Sequence, residues 1–247
     1  VITVRTGPAI GLTGQFILFA AFARTVGLGA GGWLVGMAYG LFTCAALSLG
    51  MHRSGVAALG QADRVTLFRA TLVGGVAALT VDSFARHAPV AVMVALAIVA
   101  LVLDAVDGRV ARRTGTASAL GARFDMEVDA FLILVLSVYA ARTVGGWVLL
   151  IGAMRYAYLA ASWLMPWLRG SLPPRYWRKA VAATQGIVLA FAAADVLPRP
   201  LTSAALAVSL ALLIGSFGSC VGLLWQHRPV MSGPAWSAVP EFDRAGT

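Results

Sequence analysis

The sequence predicts an all-α protein, a polytopic bundle of membrane helices. Three observations carry that reading. Of 247 residues, 60% are hydrophobic and 12% charged, where a soluble domain carries about 25% charged residues. Apolar runs of about twenty residues recur along the chain, the length an α-helix needs to cross a bilayer. No alternating strand pattern of the barrel type is visible.

Eight spans follow in order, near residues 9–27, 31–51, 65–85, 89–107, 121–141, 144–165, 180–197 and 200–225. The segment "MHRSGVAALGQADR" between the second and third is expected to lie along the membrane surface as a short amphipathic helix. The last stretch, "HRPVMSGPAWSAVPEFDRAGT", contains Pro, Gly and Ser and reads as a loose tail. No cleavable signal peptide is read, because Arg5 is a lone positive charge and no small-x-small site follows the first apolar run.

An even number of spans places both termini on one side. Of the 19 Lys and Arg residues, Arg24, Arg86, Arg142 and Arg199 fall on the opposite side and Arg69 and Arg155 within spans. All the others fall on the side of the termini. The termini are therefore expected to face the cytoplasm of a cell membrane. The net charge of +9 also suits contact with anionic lipid or a phosphorylated substrate.

Several features have plain readings. "GLGAGG" at 27–32 fits a dinucleotide-binding pattern but joins two apolar helices and follows no strand. Gly36/Gly40 and Gly218/Gly222 are small-xxx-small pairs, read as helix packing, with a homodimer contact as the alternative. Cys44 and Cys220 lie in apolar runs and read as small core residues. His52, His87 and His227 have no ligand spacing.

The chemistry concentrates in "LDAVDGRVARRTGTASALGARFDMEVDAF", residues 103–131. It holds Asp104, Asp107, Asp125, Glu127 and Asp129, half of the ten acidic residues. Asp104 and Asp107 are three apart, Asp125 and Asp129 four apart, so each pair shares a helix face. The two helices are consecutive and joined by a short loop, so four carboxylates can converge. Unpaired, they would repel, and burying them would cost several kcal/mol each. A cation must sit among them. One candidate is Arg from the adjacent "RVARR", in an interfacial charge cluster. The other is divalent metal, which favours carboxylate oxygen and serves in pairs about 4 Å apart in phosphoryl displacement. Gly108, Ala111 and Gly121 remove side-chain bulk beside the carboxylates, as a ligand approaching the backbone requires.

The pattern D-x-x-D-G-x-x-A-R-(x8)-G-x-x-x-D-x-x-x-D resembles the signature of the CDP-alcohol phosphatidyltransferases (class I). Asp104, Asp107, Gly108, Ala111, Arg112, Gly121, Asp125 and Asp129 fill all its fixed places. The resemblance implies a six-helix catalytic core over residues 65–226. Residues 1–64 would then be an N-terminal addition of two spans and an interfacial linker, and 227–247 a cytoplasmic tail. "DRVT" places Asp63 where the family commonly has Asn and keeps Thr66.

The resemblance further implies two Mg²⁺ or Mn²⁺ ions. Asp104 and Asp125 would bridge them, Asp107 would bind one and Asp129 the other. Asp129 would also be the base that takes the acceptor proton. Asp63, Thr66, Gly108, Ala111, Arg112, Ser118 and Gly121 would line the CDP-alcohol site. The expected partners are CDP-diacylglycerol, an alcohol acceptor and the lipid bilayer, with no nucleic acid. The reaction would transfer a phosphatidyl group and release CMP, a step of phospholipid biosynthesis.

Outside the motif, Arg155 lies in the sixth span within "AMRYAYLAASW". An intramembrane charge marks function by default, so Arg155 is a candidate for an acceptor phosphate, a partner of the motif carboxylates, or a snorkelling side chain. Arg69 is read as touching donor phosphate or snorkelling. Glu127 receives no role. Two other classes remain alternatives. An intramembrane prenyltransferase would need a second Asp-rich motif, and none is seen. A non-enzymatic divalent-cation-binding protein of the carrier type would place its charges nearer the midplane.

Overall fold

The structure, a computed structural model, describes residues 6–55, 60–86, 89–114, 118–169 and 176–226. Side chains are described there except at 6–8, 61–62, 107–114, 119, 166, 169, 176, 178–179 and 226. The expected tail at 227–247 lies outside the described residues. Among the described residues there are eight α-helices, two short 3-10 helices and no strand. The helices are α1 (Thr6–Thr25), α2 (Ala30–Ser54), α3 (Gln61–Asp82), α4 (Val90–Thr114), α5 (Ala119–Val144), α6 (Leu149–Leu164), α7 (Tyr176–Ala194) and α8 (Arg199–Gln226). The all-α membrane bundle expected from the sequence is what forms. Four stretches, Ala30–Ser54, Asp63–Asp82, Gly146–Leu164 and Arg199–Trp225, are long and apolar enough to cross a membrane, and Ala9–Thr25, Val90–Val106 and Ala180–Ala194 are shorter apolar helices.

Two expectations change. The surface helix expected over residues 51–64 does not form as a separate element. α2 runs on to Ser54 and α3 begins at Gln61, leaving no length for a third helix. Gly55 ends α2 in the left-handed region (φ 65°), and its N–H donates to the His52 carbonyl. Asp63, in the first turn of α3, then caps the helix start, its Oδ2 accepting from the Gly60 N–H at 3.0 Å, the half of a capping box that a glycine N-cap allows. The fourth helix is also longer than the expected span. It continues to Thr114, helped by Ala111, Arg112 and Arg113 beyond Gly108, which are good helix formers.

α3 is the central helix: 78% of its apolar stretch is buried. Small residues on it let neighbours approach closely. A Cβ on Gly74 would lie 2.4 Å from Gln15 Nε2 of α1. The Gly36/Gly40 pair of α2 packs within the chain, facing Phe19 and Gln15 of α1, while Gly218 and Gly222 of α8 have nothing within 4 Å of an added Cβ. The far end of α3 is tied to the α1–α2 turn by polar contacts. Asp82 Oδ1 accepts from the Gly29 N–H at 3.0 Å. Arg86 pairs with Asp82 at 3.3 Å and donates to the Gly27 carbonyl at 2.6 Å. α7 and α8 are joined by a buried two-way contact. Gln185 Nε2 donates to the Ser209 carbonyl at 3.0 Å, and Ser209 Oγ donates to Gln185 Oε1 at 2.6 Å.

Candidate active site

Ser118 sits at the N-cap of α5, where its hydroxyl accepts from the Gly121 N–H at 2.8 Å. That cap fixes the start of α5 and so the height of the carboxylates that follow. Gly121 is tightly enclosed: an added Cβ would fall 2.1 Å from Asp63 Oδ1 and 2.9 Å from Ser118 Oγ. Glycine is what allows the beginnings of α3 and α5 to meet. Asp63, Ser118 and Gly121, three of the expected donor-site residues, therefore come together. In this structure Asp63 caps α3 and is buried. Thr66, one turn further, is buried as well.

The next turns bring in the carboxylates. One oxygen each from Asp104 on α4 and from Asp125 and Asp129 on α5 lies within 4.8 Å of the others. These side chains are 38%, 34% and 36% exposed, so the cluster has an open face. Its closed face is Arg69 of α3, which has no exposed surface. Arg69 Nη1 donates to Asp104 Oδ1 at 2.6 Å, and Nη2 donates to Asp125 Oδ1 and lies 3.1 Å from Asp129 Oδ1. A second contact runs from Nη2 to the Asp125 carbonyl at 3.3 Å.

Arg69 is thus neither snorkelling nor open to a substrate phosphate. It is a buried cation whose desolvation is offset by charge-assisted bonds to three carboxylates. The three carboxylates converge on one guanidinium and keep their open side toward solvent. An all-oxygen, partly exposed donor set of this kind fits a hard divalent cation such as Mg²⁺ or Mn²⁺. The side chains of Asp107 and Arg112, and with them Gly108 and Ala111, lie outside the described residues in the last turns of α4.

Arg155 on α6 pairs with Glu127, the acid between the last two motif aspartates. Its partner is a carboxylate, but not one of the four in the motif. Sequence spacing offered a signal here: a lone Arg in an apolar span needs an acid, and Glu127 was the acid of the motif segment with no place in the pattern. Two cavities flank the pair. One, about 430 Å³, is enclosed by α5, α6, α7 and α8 and lined by Asp129, Arg155, Tyr158 and Gln185 among apolar side chains. The other, about 560 Å³, lies between α2, α5 and α6. The structure thus brings Asp129 and Arg155 to one cavity.

A family model described as CDP-alcohol phosphatidyltransferase matches residues 60–215. That is well over half the chain, and the chain belongs to this family. It is accordingly a membrane transferase of the class that acts on CDP-alcohols and an alcohol acceptor in lipid synthesis. No curated protein and no solved structure matches the chain. The matched span begins at residue 60, where α3 starts, so α1 and α2 stand outside it.

Proposed function

We propose that the protein transfers a phosphatidyl group from CDP-diacylglycerol to an alcohol acceptor, with release of CMP, at the cytoplasmic face of the membrane. The observation that carries this reading is the convergence of Asp104, Asp125 and Asp129, with Asp129 also lining the cavity that holds Arg155. Asp104, Asp107, Asp125 and Asp129 would hold two Mg²⁺ or Mn²⁺ ions. What bound ions would supply is positive charge against the diphosphate and the CMP leaving group, together with a lowered pKa for the acceptor hydroxyl.

The protein's own part is positioning and proton transfer. Arg69 holds three of the carboxylates in one arrangement from below. Asp129 takes the proton of the acceptor hydroxyl. The acceptor oxygen bonds to the β-phosphorus of the donor, and the bond from that phosphorus to the bridging oxygen of CMP breaks. The donor head lies along Asp63, Thr66, Gly108, Ala111, Arg112, Ser118 and Gly121, and its lipid part stays in the bilayer. Arg155 offers a cation for an acceptor phosphate in the α5–α8 cavity. Acceptors with such a phosphate, glycerol 3-phosphate or an inositol phosphate, are favoured over serine.

The test is CMP release by purified protein from labelled CDP-diacylglycerol across a panel of acceptors. Release should cease in chelator and return with Mg²⁺ or Mn²⁺. Full activity in chelator would overturn the two-metal reading, and no CMP release with any acceptor would overturn the transferase reading.

A further inference from the structure

The cavity between α2, α5 and α6 belongs to no part of the reaction described above. Its α2 wall is built by Tyr39, Phe42, Thr43, Ala46 and Leu47, all before residue 60, where the family match begins. Its volume of about 560 Å³ is that of a ligand site.

The cavity is graded from end to end. Arg123 and Glu127 line the part nearest the start of α5; Phe131 and Leu134 line the deeper part. From Arg123 to Leu134 the helix rises about 16 Å. Glu127 is already paired with Arg155, whereas Arg123 is exposed and forms no ion pair among the described residues. The cationic end is thus open to an anion. The sides open outward through apolar residues, Phe42 being 72% exposed and Leu159 38%. In a membrane these rims face acyl chains.

Tyr39 supplies the observation that points to a ligand. Its side chain is only 8% exposed, and its ring stacks on Phe131 at 4.2 Å between centroids. Its hydroxyl has no hydrogen-bond partner among the described residues. Buried hydroxyls are normally satisfied, and this one lines the cavity, within electrostatic reach of Asp129.

We infer that this cavity receives an acyl chain of the donor lipid. The chain enters between Phe42 and Leu159, and the Tyr39 hydroxyl donates to an ester oxygen at its head. α2 would then be a substrate-recognition element added to the family core. The inference rests on the donor proposed above being a diacyl lipid.

Two variants of the full chain test it. Ala46→Trp places bulk in the cavity from an exposed position on α2. It should raise the ratio of KM for dioleoyl to dihexanoyl CDP-diacylglycerol about tenfold. Tyr39→Phe removes one hydroxyl that bonds nothing among the described residues. It should leave the thermal melt unchanged and raise KM for the dioleoyl donor several-fold. An unaltered chain-length ratio in Ala46→Trp would overturn the inference while leaving the transferase reading intact. So would an unaltered KM in Tyr39→Phe, which decides the matter if Ala46→Trp does not fold. Wild-type protein that neither turns over CDP-diacylglycerol nor is stabilised by it would overturn both.

Discussion

Arg69 Nη1 lies 2.6 Å from Asp104 Oδ1, the guanidinium with no exposed surface and the carboxylate 38% exposed. This asymmetry orients the site: α3 supplies a buried cation beneath, and α4 and α5 supply acids that reach the open side. Replacing Arg69 by Met would leave three carboxylates facing one another without their common partner. Removing one partner of a fully buried pair costs about 3–5 kcal/mol, and the exposure of the acids brings the expected loss down to about 2 kcal/mol. A thermal melt in detergent checks this. Added Mg²⁺ should recover more stability in Arg69→Met than in wild type, because the variant's acids have lost their competing cation. Equal metal-induced shifts in the two proteins would contradict the picture of Arg69 sharing the metal-facing carboxylates.

Gly121 offers a steric prediction. Its missing Cβ leaves room for Asp63 Oδ1 at 2.1 Å from the ideal position, so Gly121→Ala must displace the Asp63 carboxylate from its cap or push the starts of α3 and α5 apart. The expected cost is about 1–3 kcal/mol, as for other overpacked contacts. Pairing it with Asp63→Ala should recover part of that loss, even though Asp63→Ala alone forfeits a helix cap worth about 1 kcal/mol. Additive losses in the double variant would show that the two side chains do not compete for the same space. Thermal melts of the three variants provide the comparison.

The number and order of helices were legible in the sequence because apolar length is a one-dimensional property. The carboxylate cluster was legible for a related reason: i,i+3 and i,i+4 spacing fixes a helix face, and a short connection brings two such faces together. Arg69 was not. Its place in sequence, one turn after Thr66, is equally consistent with snorkelling, and only the packing of α3 at the centre of the bundle makes its burial unavoidable. The Glu127–Arg155 pair was only half legible: a lone Arg in an apolar span needs an acid, but the two residues are 28 apart, on α5 and α6, and spacing does not give the packing that joins those helices. The span ends drifted where charged residues continued a helix, as in "VARR" of α4.

Asp129→Asn separates proton transfer from architecture. Asparagine keeps a side-chain oxygen for Arg69, whose Nη2 lies 3.1 Å from Asp129 Oδ1, so insertion and purification should be normal. With the proposed base removed, turnover should fall by a factor of about 10²–10⁴. Donor-induced thermal stabilisation should persist. Loss of donor stabilisation in step with turnover would assign Asp129 to donor binding instead.

Arg155 and Glu127 make opposite predictions about the acceptor. Arg155 lines the cavity beside Asp129, yet part of its charge is committed to Glu127. If an acceptor phosphate binds there, it shares Arg155 with that carboxylate. Arg155→Ala should then raise the KM for acceptor about tenfold or more, on the order of 1.4 kcal/mol of binding, with little change in the KM for CDP-diacylglycerol. Glu127→Gln removes the competing charge but keeps a hydrogen-bond acceptor for Arg155, so acceptor KM should stay level or fall. A purely structural ion pair behaves differently: both variants would lower the melting temperature together, and neither would distinguish acceptor from donor. Steady-state kinetics on both substrates, with a melt of each variant, decides between them. An acceptor KM that rises equally in Arg155→Ala and Glu127→Gln would count against phosphate binding at Arg155 and would shift the expected acceptor toward one without a phosphate, such as serine.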